Sequence, residues 1–421
     1  MINVDISNVW TCVTLPELLG SEKQIFDAHQ LLRNNEPDGP DFLGWLGMPD
    51  SVTGRLIHSI CRKSEQICSQ SEVLIVCGSG DSYNAARAAI SCYGGMQRNL
   101  LALPQVFFVG ETISGRQWQE LNRLLEERDY SLLIISPTGK DLAANITARG
   151  LRWMMERKYG PNAKERISIA TSVGTPLHKM GQEEGFELFP MPKQAGGSHS
   201  ALTAAALLPM TVAGIDPQTV LEGAAESYRE LDIRSFENPA WLYAAARSVL
   251  PTKGKRREIV GFFDSNLMEL GRWWQRYTWR HEGCGVSSEA LLLPGDLSSA
   301  EQMLLYSSDV FETVVHFDPI SKKIPVEMDW KDYDSLGFLS GRHLDYVEEQ
   351  LLSAVLDTHN NAGIPILDIH AGEMSAQALG ELFYFFELSS ALTARVTGKE
   401  PFAETECPTI DLTLRSMGAP E

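Results

Sequence analysis

The sequence predicts an α/β protein of two doubly wound parallel-sheet domains, and three observations predict it. Short apolar runs of strand length recur along the chain, each separated from the next by helix-length polar-periodic sequence. That alternation is the signature of parallel sheets covered on both faces. The 421 residues exceed the size at which one hydrophobic core stops growing, which makes two cores the default. A hydrophobic content of 43% with 22% charged residues is that of an ordinary globular chain, so both cores can be filled.

Residues 1–50 read as an N-terminal arm whose loop-like NNEPDGPDFLGWLGMP anchors through Phe42, Leu43 and Trp45. The first domain spans 51–225. Its centre is the stretch 71–90, where the apolar run Glu72–Cys77 breaks into Gly78-Ser79-Gly80 and then into an alanine-rich helix for which Ser82 offers an N-cap. Further strands fall at 104–110, 131–136, 167–171 and 186–191, and an alanine-rich buried helix at 200–216 closes the domain. The second domain spans 226–395 and begins its strands after the basic run KGKRR, read as a solvated loop. Strands at 258–263, 289–294, 312–317 and 363–369 give a second, smaller sheet. Between them, Trp273, Trp274 and Trp279 are expected to pack rather than to stack on a ligand. An amphipathic helix at 380–394 precedes an acidic, proline-containing tail, 396–421.

The net charge of −19 and a pI near 5.0 speak against a nucleic-acid footprint or an anionic membrane partner. A small ligand held by a local pocket is compatible with them. The N-terminus has no basic region followed by an apolar core, and no segment approaches 18 uninterrupted apolar residues, so a cytoplasmic protein is expected. Seven cysteines, an odd number without C-x-x-C spacing, read as reduced thiols rather than as a zinc site.

The chemistry should lie beyond the carboxyl ends of the strands. A helix starting at the glycine turn aims unpaired N–H groups and its positive dipole end at that turn, which suits a phosphate or another small anion. G-x-G-x-x-Y lacks the third glycine of a dinucleotide fingerprint and the lysine of a P-loop, and Asp81 opposes an anion there. A second hydroxyl-bearing turn, Ser136-Pro137-Thr138-Gly139-Lys140-Asp141, reads as another wall of one polar pocket. Gly196-Gly197-Ser198-His199-Ser200 places two hydroxyls and an imidazole at a helix start, and Asp357–Asn361 is a polar cluster containing His359 that follows a helix.

In their order these residues resemble the glucose-6-phosphate isomerase family. VLIVCGSGDSYNAARAAI, IISPTG and TPLHKMGQEEGFELFPMPKQAGGSHSALTAAALLPMTVAGID carry the likeness, as do DFLGW, PQVFFVG, WWQRY, GDLSSAEQ, LDTHNNAGIP and GELFYFFE. The resemblance implies two sugar-isomerase domains of three αβα layers. It also implies aldose–ketose isomerisation of a hexose 6-phosphate, or of an analogue with another C6 anion such as a 6-sulfo sugar, through a cis-enediol. The alternative is a sugar-phosphate-binding paralogue with impaired catalysis. A homodimer is implied too, with the ring-opening histidine contributed by a neighbouring subunit, and neither cofactor nor metal is called for.

Carried over position by position, the resemblance places Ser82, Ser136 and Thr138 at phosphate-holding hydroxyls; Gly80 and Lys140 in the same turns, and His199 in the double-glycine loop, are further substrate-binding candidates. His359 falls at the ring-opening histidine and Gln302 at a sugar-contacting glutamine. The departures concentrate on the chemistry. Ser198 stands where the family has an arginine, and Arg280 where it has the proton-transferring glutamate, with Glu282 two residues on. The lysine position falls on Leu414 or Arg415, Ser298 replaces a histidine, and Asp81 and Asp141 replace a glycine and a threonine of the phosphate turns. Glu282 or Glu301 is the expected substitute base, with Arg280, His199, Lys140 or Arg415 as cationic help.

Overall fold

The structure, a computed structural model, describes residues 2–34, 54–191, 199–282, 285–319, 323–402 and 408–418. The chain divides into a first unit of residues 31–225 with 400–421 and a second unit of residues 1–30 with 226–399. It opens with β1 (Asn3–Asp5) and α1 (Leu15–Leu19), the latter started by a capping box of Thr14 and Glu17. The helix α2 (Glu22–Asn34) follows.

In the first unit α3 (Gly54–Gln70) leads to β2 (Val73–Gly78), α4 (Asp81–Gly94), α5 (Arg98–Leu101) and β3 (Gln105–Val109). Then come α6 (Gly115–Glu126), β4 (Tyr130–Ile135), α7 (Leu142–Tyr159), β5 (Ile167–Ser172), α8 (Pro176–Glu184) and β6 (Glu187–Met191). The five strands are parallel in the order β3-β2-β4-β5-β6. Every residue of β2 and β4 is buried, which is why VLIVCG and YSLLII read as continuous rather than alternating apolar runs. Val73, Ile75, Cys77, Ile134, Leu151 and Met155 belong to one core cluster between the sheet and its helices. The helices α9 (Ala204–Val212) and α10 (Pro217–Glu230) take up the expected alanine-rich segment and its continuation.

The second unit runs α11 (Pro239–Val249), β7 (Arg257–Phe262), α12 (Met268–His281), β8 (Ser287–Leu292), α13 (Leu297–Tyr306), β9 (Val310–His316), α14 (Leu344–Asn361), β10 (Ile366–His370) and α15 (Ala376–Val396). Its sheet order is β1-β10-β9-β7-β8. Taken from the other edge, β8-β7-β9-β10 repeats the β3-β2-β4-β5 arrangement of the first unit. The second sheet is not smaller as expected: β1 pairs antiparallel with β10 and brings it to five strands.

Three further expectations are corrected. The helix α4 starts at Asp81 with Gly80 as its N-cap, so Ser82 lies inside the first turn instead of capping it. The helix α15 is buried on all sides through most of its length rather than amphipathic. Trp273 and Trp274 are buried against Phe383 and Phe386, whereas Trp279 is 54% exposed. In the tail, α16 (Pro408–Ser416) forms a helix. No helix among the described residues is long and apolar enough to cross a membrane.

Candidate functional site

The glycines bring the first unit's two polar turns together. In the β2–β4 ladder Gly78 stands opposite Ile135, and a Cβ at Gly78 would fall 2.5 Å from the Ile135 carbonyl oxygen. Gly110, at φ +104°, closes in from β3, where a Cβ would lie 3.0 Å from the Gly78 nitrogen. Gly80 takes φ +89° and ψ −166°, a region open essentially to glycine alone. That backbone turns the chain sharply from β2 into α4.

Most polar groups of these turns satisfy one another. Asp141 caps α7 by accepting from the Ala144 N–H at 2.9 Å, and its other oxygen accepts from the Ser79 hydroxyl. The Ser136 hydroxyl accepts from Gly139 N–H at 3.1 Å, its carbonyl accepts from Thr171 at 2.7 Å, and the Asn145 amide donates to the Gly139 carbonyl at 2.9 Å. Asp81 is buried and turned to Ser200, accepting from its N–H at 2.5 Å and its hydroxyl at 3.2 Å. The Ser82 hydroxyl is different: it is buried in the first turn of a 14-residue helix with no hydrogen-bond partner among the described residues. A donor left unsatisfied beside a helix N-terminus suits an incoming anion. Thr138 and Lys140 are exposed at the rim of the second turn.

His199 sits at φ +52°, buried, with its ring edge-on to Phe402 at 4.8 Å and Nε2 3.4 Å from the Pro401 carbonyl oxygen. It therefore ties the loop before α9 to the start of the tail. Ser198, one residue earlier, lies outside the described residues. Arg415 is exposed on α16.

In the second unit His359 occupies the last turn of α14, not the loop after it, and is buried. Its Nδ1 lies 2.9 Å from each carboxylate oxygen of Glu312 on β9. Holding Nδ1 leaves Nε2 as the ring nitrogen for chemistry. Arg280 is exposed near the end of α12, and Glu301 and Gln302 are exposed side by side on α13.

Glu282 is elsewhere engaged. It is buried and accepts from Arg247 Nη1 at 2.5 Å, while Arg247 forks onto Glu258 through Nε at 3.0 Å and Nη2 at 2.8 Å. Tyr243, Thr313 and Ser288 donate to the same Glu258 at 2.9, 2.7 and 2.5 Å. Two carboxylates thus surround one guanidinium. Burial pushes the Glu258 carboxyl up, but the charge and hydrogen bonds of Arg247, with those of Ser288 and Thr313, hold it below the usual carboxylate range. Burial pushes Glu282 up, and the shared Arg247, aided by the Ser390 hydroxyl and opposed by the charge of Glu258, does not bring it back.

Reasoning from the sequence did not single out Glu312, Glu258 or Arg247. The signal was there in the form of one charge inside each apolar run: ETVV, EIVGF and AAARSV. Such a charge is retained only when paired. Among the described residues no group of three or more His, Cys, Asp or Glu is placed to hold a metal.

No family model matches the chain. It is 32% identical over 411 residues to a glucose-6-phosphate isomerase of Fusobacterium nucleatum, covering 95% of this chain and 92% of the relative. An isomerase of the same description from Clostridium tetani is 32% identical over 414 residues with the same coverage. Among solved structures, a hypothetical protein from Thermus thermophilus superposes with a TM-score of 0.86 at 18% identity, over 100% of both chains. A glucose-6-phosphate isomerase from Chlamydia trachomatis gives 0.79 at 13% identity, over 99% of this chain and 87% of that one. These two structures support the fold.

Proposed function

The chain belongs to the glucose-6-phosphate isomerase family, and from that premise we propose that it interconverts an aldohexose carrying an anionic C6 group with its ketose through a cis-enediol. The observation that carries this reading is the buried His359–Glu312 pair. An imidazole fixed at Nδ1 by a carboxylate presents Nε2 for moving a proton to and from the ring oxygen, which is what opening a pyranose or furanose requires. In this reading the turns at 78–82 and 136–141 take the C6 anion, with the Ser82 hydroxyl as an added donor, and Gln302 contacts the sugar. His359 acts in a homodimer from a neighbouring subunit. Glu301 moves the proton between C1 and C2, since Glu282 is spent on Arg247. Arg280 and Arg415 supply positive charge to the enediolate.

Asp81 and Asp141 bear on the C6 group. A carboxylate about 4 Å from an anion costs on the order of 1 kcal/mol in water and roughly 4 at an intermediate dielectric, and that cost about doubles for a dianion. Two carboxylates behind the turns therefore favour a monoanion such as a sulfonate over a phosphate dianion. A second reading, a sugar-phosphate-binding paralogue with impaired catalysis, is favoured by Arg280 standing where the family's base stands while Glu282 is locked in an ion pair.

NMR in D₂O with fructose 6-phosphate, glucose 6-phosphate and their 6-sulfo analogues tests both readings. Deuterium appearing at C1 or C2 with one substrate supports isomerisation and names the C6 group. Ligand-induced thermal stabilisation without deuterium incorporation supports the binder instead.

A further inference from the structure

A cavity of about 610 Å³ opens between α6 and α7 at the C-terminal end of β3, in the first unit. Its walls are apolar, built from Ile113, Trp118, Leu121, Ile146 and Trp153. Gly150 lets the Trp118 indole lie against the helix, since a Cβ there would come within 2.5 Å of the ring. Three of the wall residues, Ile113, Ile146 and Trp153, are about half exposed or more. Apolar side chains left in water around a concavity of this size are the mark of a small-molecule pocket.

The rim carries the opposite character to the rest of the molecule. Arg149 borders the cavity and has neither an acidic partner nor a hydrogen bond among the described residues. Arg157 places its guanidinium 4.6 Å over the Trp153 ring and likewise has no acid beside it among the described residues. In a chain of net charge −19, a guanidinium without a carboxylate on the rim, with a second lying against the Trp153 wall from outside the lining, is a local complement to an anion. Gln117 adds a donor, because its Oε1 accepts from the Thr112 hydroxyl at 2.7 Å and its amide nitrogen is left over among the described residues.

The geometry points to a binding site, separate from the sugar turns, for a small planar apolar acid. Its ring would lie among the indoles of Trp118 and Trp153, with its carboxylate or sulfonate on Arg149. The inference goes beyond the isomerase reading and requires no turnover.

Fluorescence titration of the full chain with 8-anilinonaphthalene-1-sulfonate tests it directly. One saturable site per chain is expected, about tenfold weaker in Arg149→Glu from the loss of a charge-assisted contact and lost in Ile146→Glu. Arg149→Lys should retain most of the affinity, and Arg116→Glu, outside the cavity, should leave it unchanged. Arg149 and Ile146 are exposed, so thermal melts of the variants should match the parent. Non-saturable binding, or equal affinity in Arg149→Glu and the parent, would overturn the proposal. So would a change of sedimentation coefficient in Ile146→Glu, which would assign the opening to contact with a second copy.

Discussion

His359 does its proposed work through Glu312, so the pair can be tested by changing only the carboxylate. Glu312→Gln keeps the shape but lets Nδ1 be either donor or acceptor. The expected result is a fall in kcat of about 10²-fold with little change in KM, read by deuterium exchange into the sugar. Ser82 offers a test with two opposite signs. Its hydroxyl is buried without a partner among the described residues, so Ser82→Ala should leave stability unchanged or raise it by up to about 1 kcal/mol. The same substitution should weaken binding of fructose 6-phosphate, and a stability loss with unchanged binding would argue that the hydroxyl is structural. At Glu282 burial raises the carboxyl, so the folded state holds that proton more tightly than the unfolded chain. Its contribution to stability is fully present below the ordinary carboxylate range and is lost as pH rises through the raised value. Glutamine cannot titrate. The difference in Tm between Glu282→Gln and the parent should therefore shift in favour of the variant as pH rises from about 4.5 towards neutrality.

Among the elements, the β2–α4 and β4–α7 turns were the most legible in the sequence, because their requirement is for glycine itself. Gly78 has no room for a Cβ beside the Ile135 carbonyl, and Gly80 takes a backbone that side chains avoid. Gly78→Ala should cost about 2–3 kcal/mol by wedging β2 away from β4, measurable as a lowered urea midpoint. The parallel strands were also legible, each with ends within a few residues, since burial on both faces leaves an unbroken apolar run. Less could be read where burial contradicts local pattern. The polar residues Glu381, Glu387, Ser389 and Ser390 give α15 an amphipathic look, yet all four are buried. The three residues of β1 are too few for periodicity to show. At the site, hydroxyl and glycine turns declared themselves, whereas Glu312 and the Arg247 network depend on partners far away in the chain.

On the scale of the whole molecule, two sheets share one strand order but not one fate for their outer strand. The first closes with β6, drawn from the neighbouring sequence, and the second with β1, drawn from the opposite end of the chain. Removing residues 2–6 should therefore weaken the second unit alone. Ile2, Val4 and Ile6 are buried, and at about 1.5–3 kcal/mol per buried aliphatic side chain the loss amounts to several kcal/mol. It also leaves the β10 edge unpaired and open to edge-to-edge association. A lowered first melting transition with concentration-dependent aggregation is the expected result, and an unchanged melt would show that β1 adds nothing.

The pairing of Asn3 with His370 also sets an order of events during translation. As the polypeptide leaves the ribosome, residues 31–225 can collapse on their own strands while the opening segment is still waiting for a partner not yet made. That segment can be fixed only after β10 has emerged. Until then its apolar residues are in the care of chaperones or of transient contacts, and the newborn chain carries one finished sheet and one unfinished one.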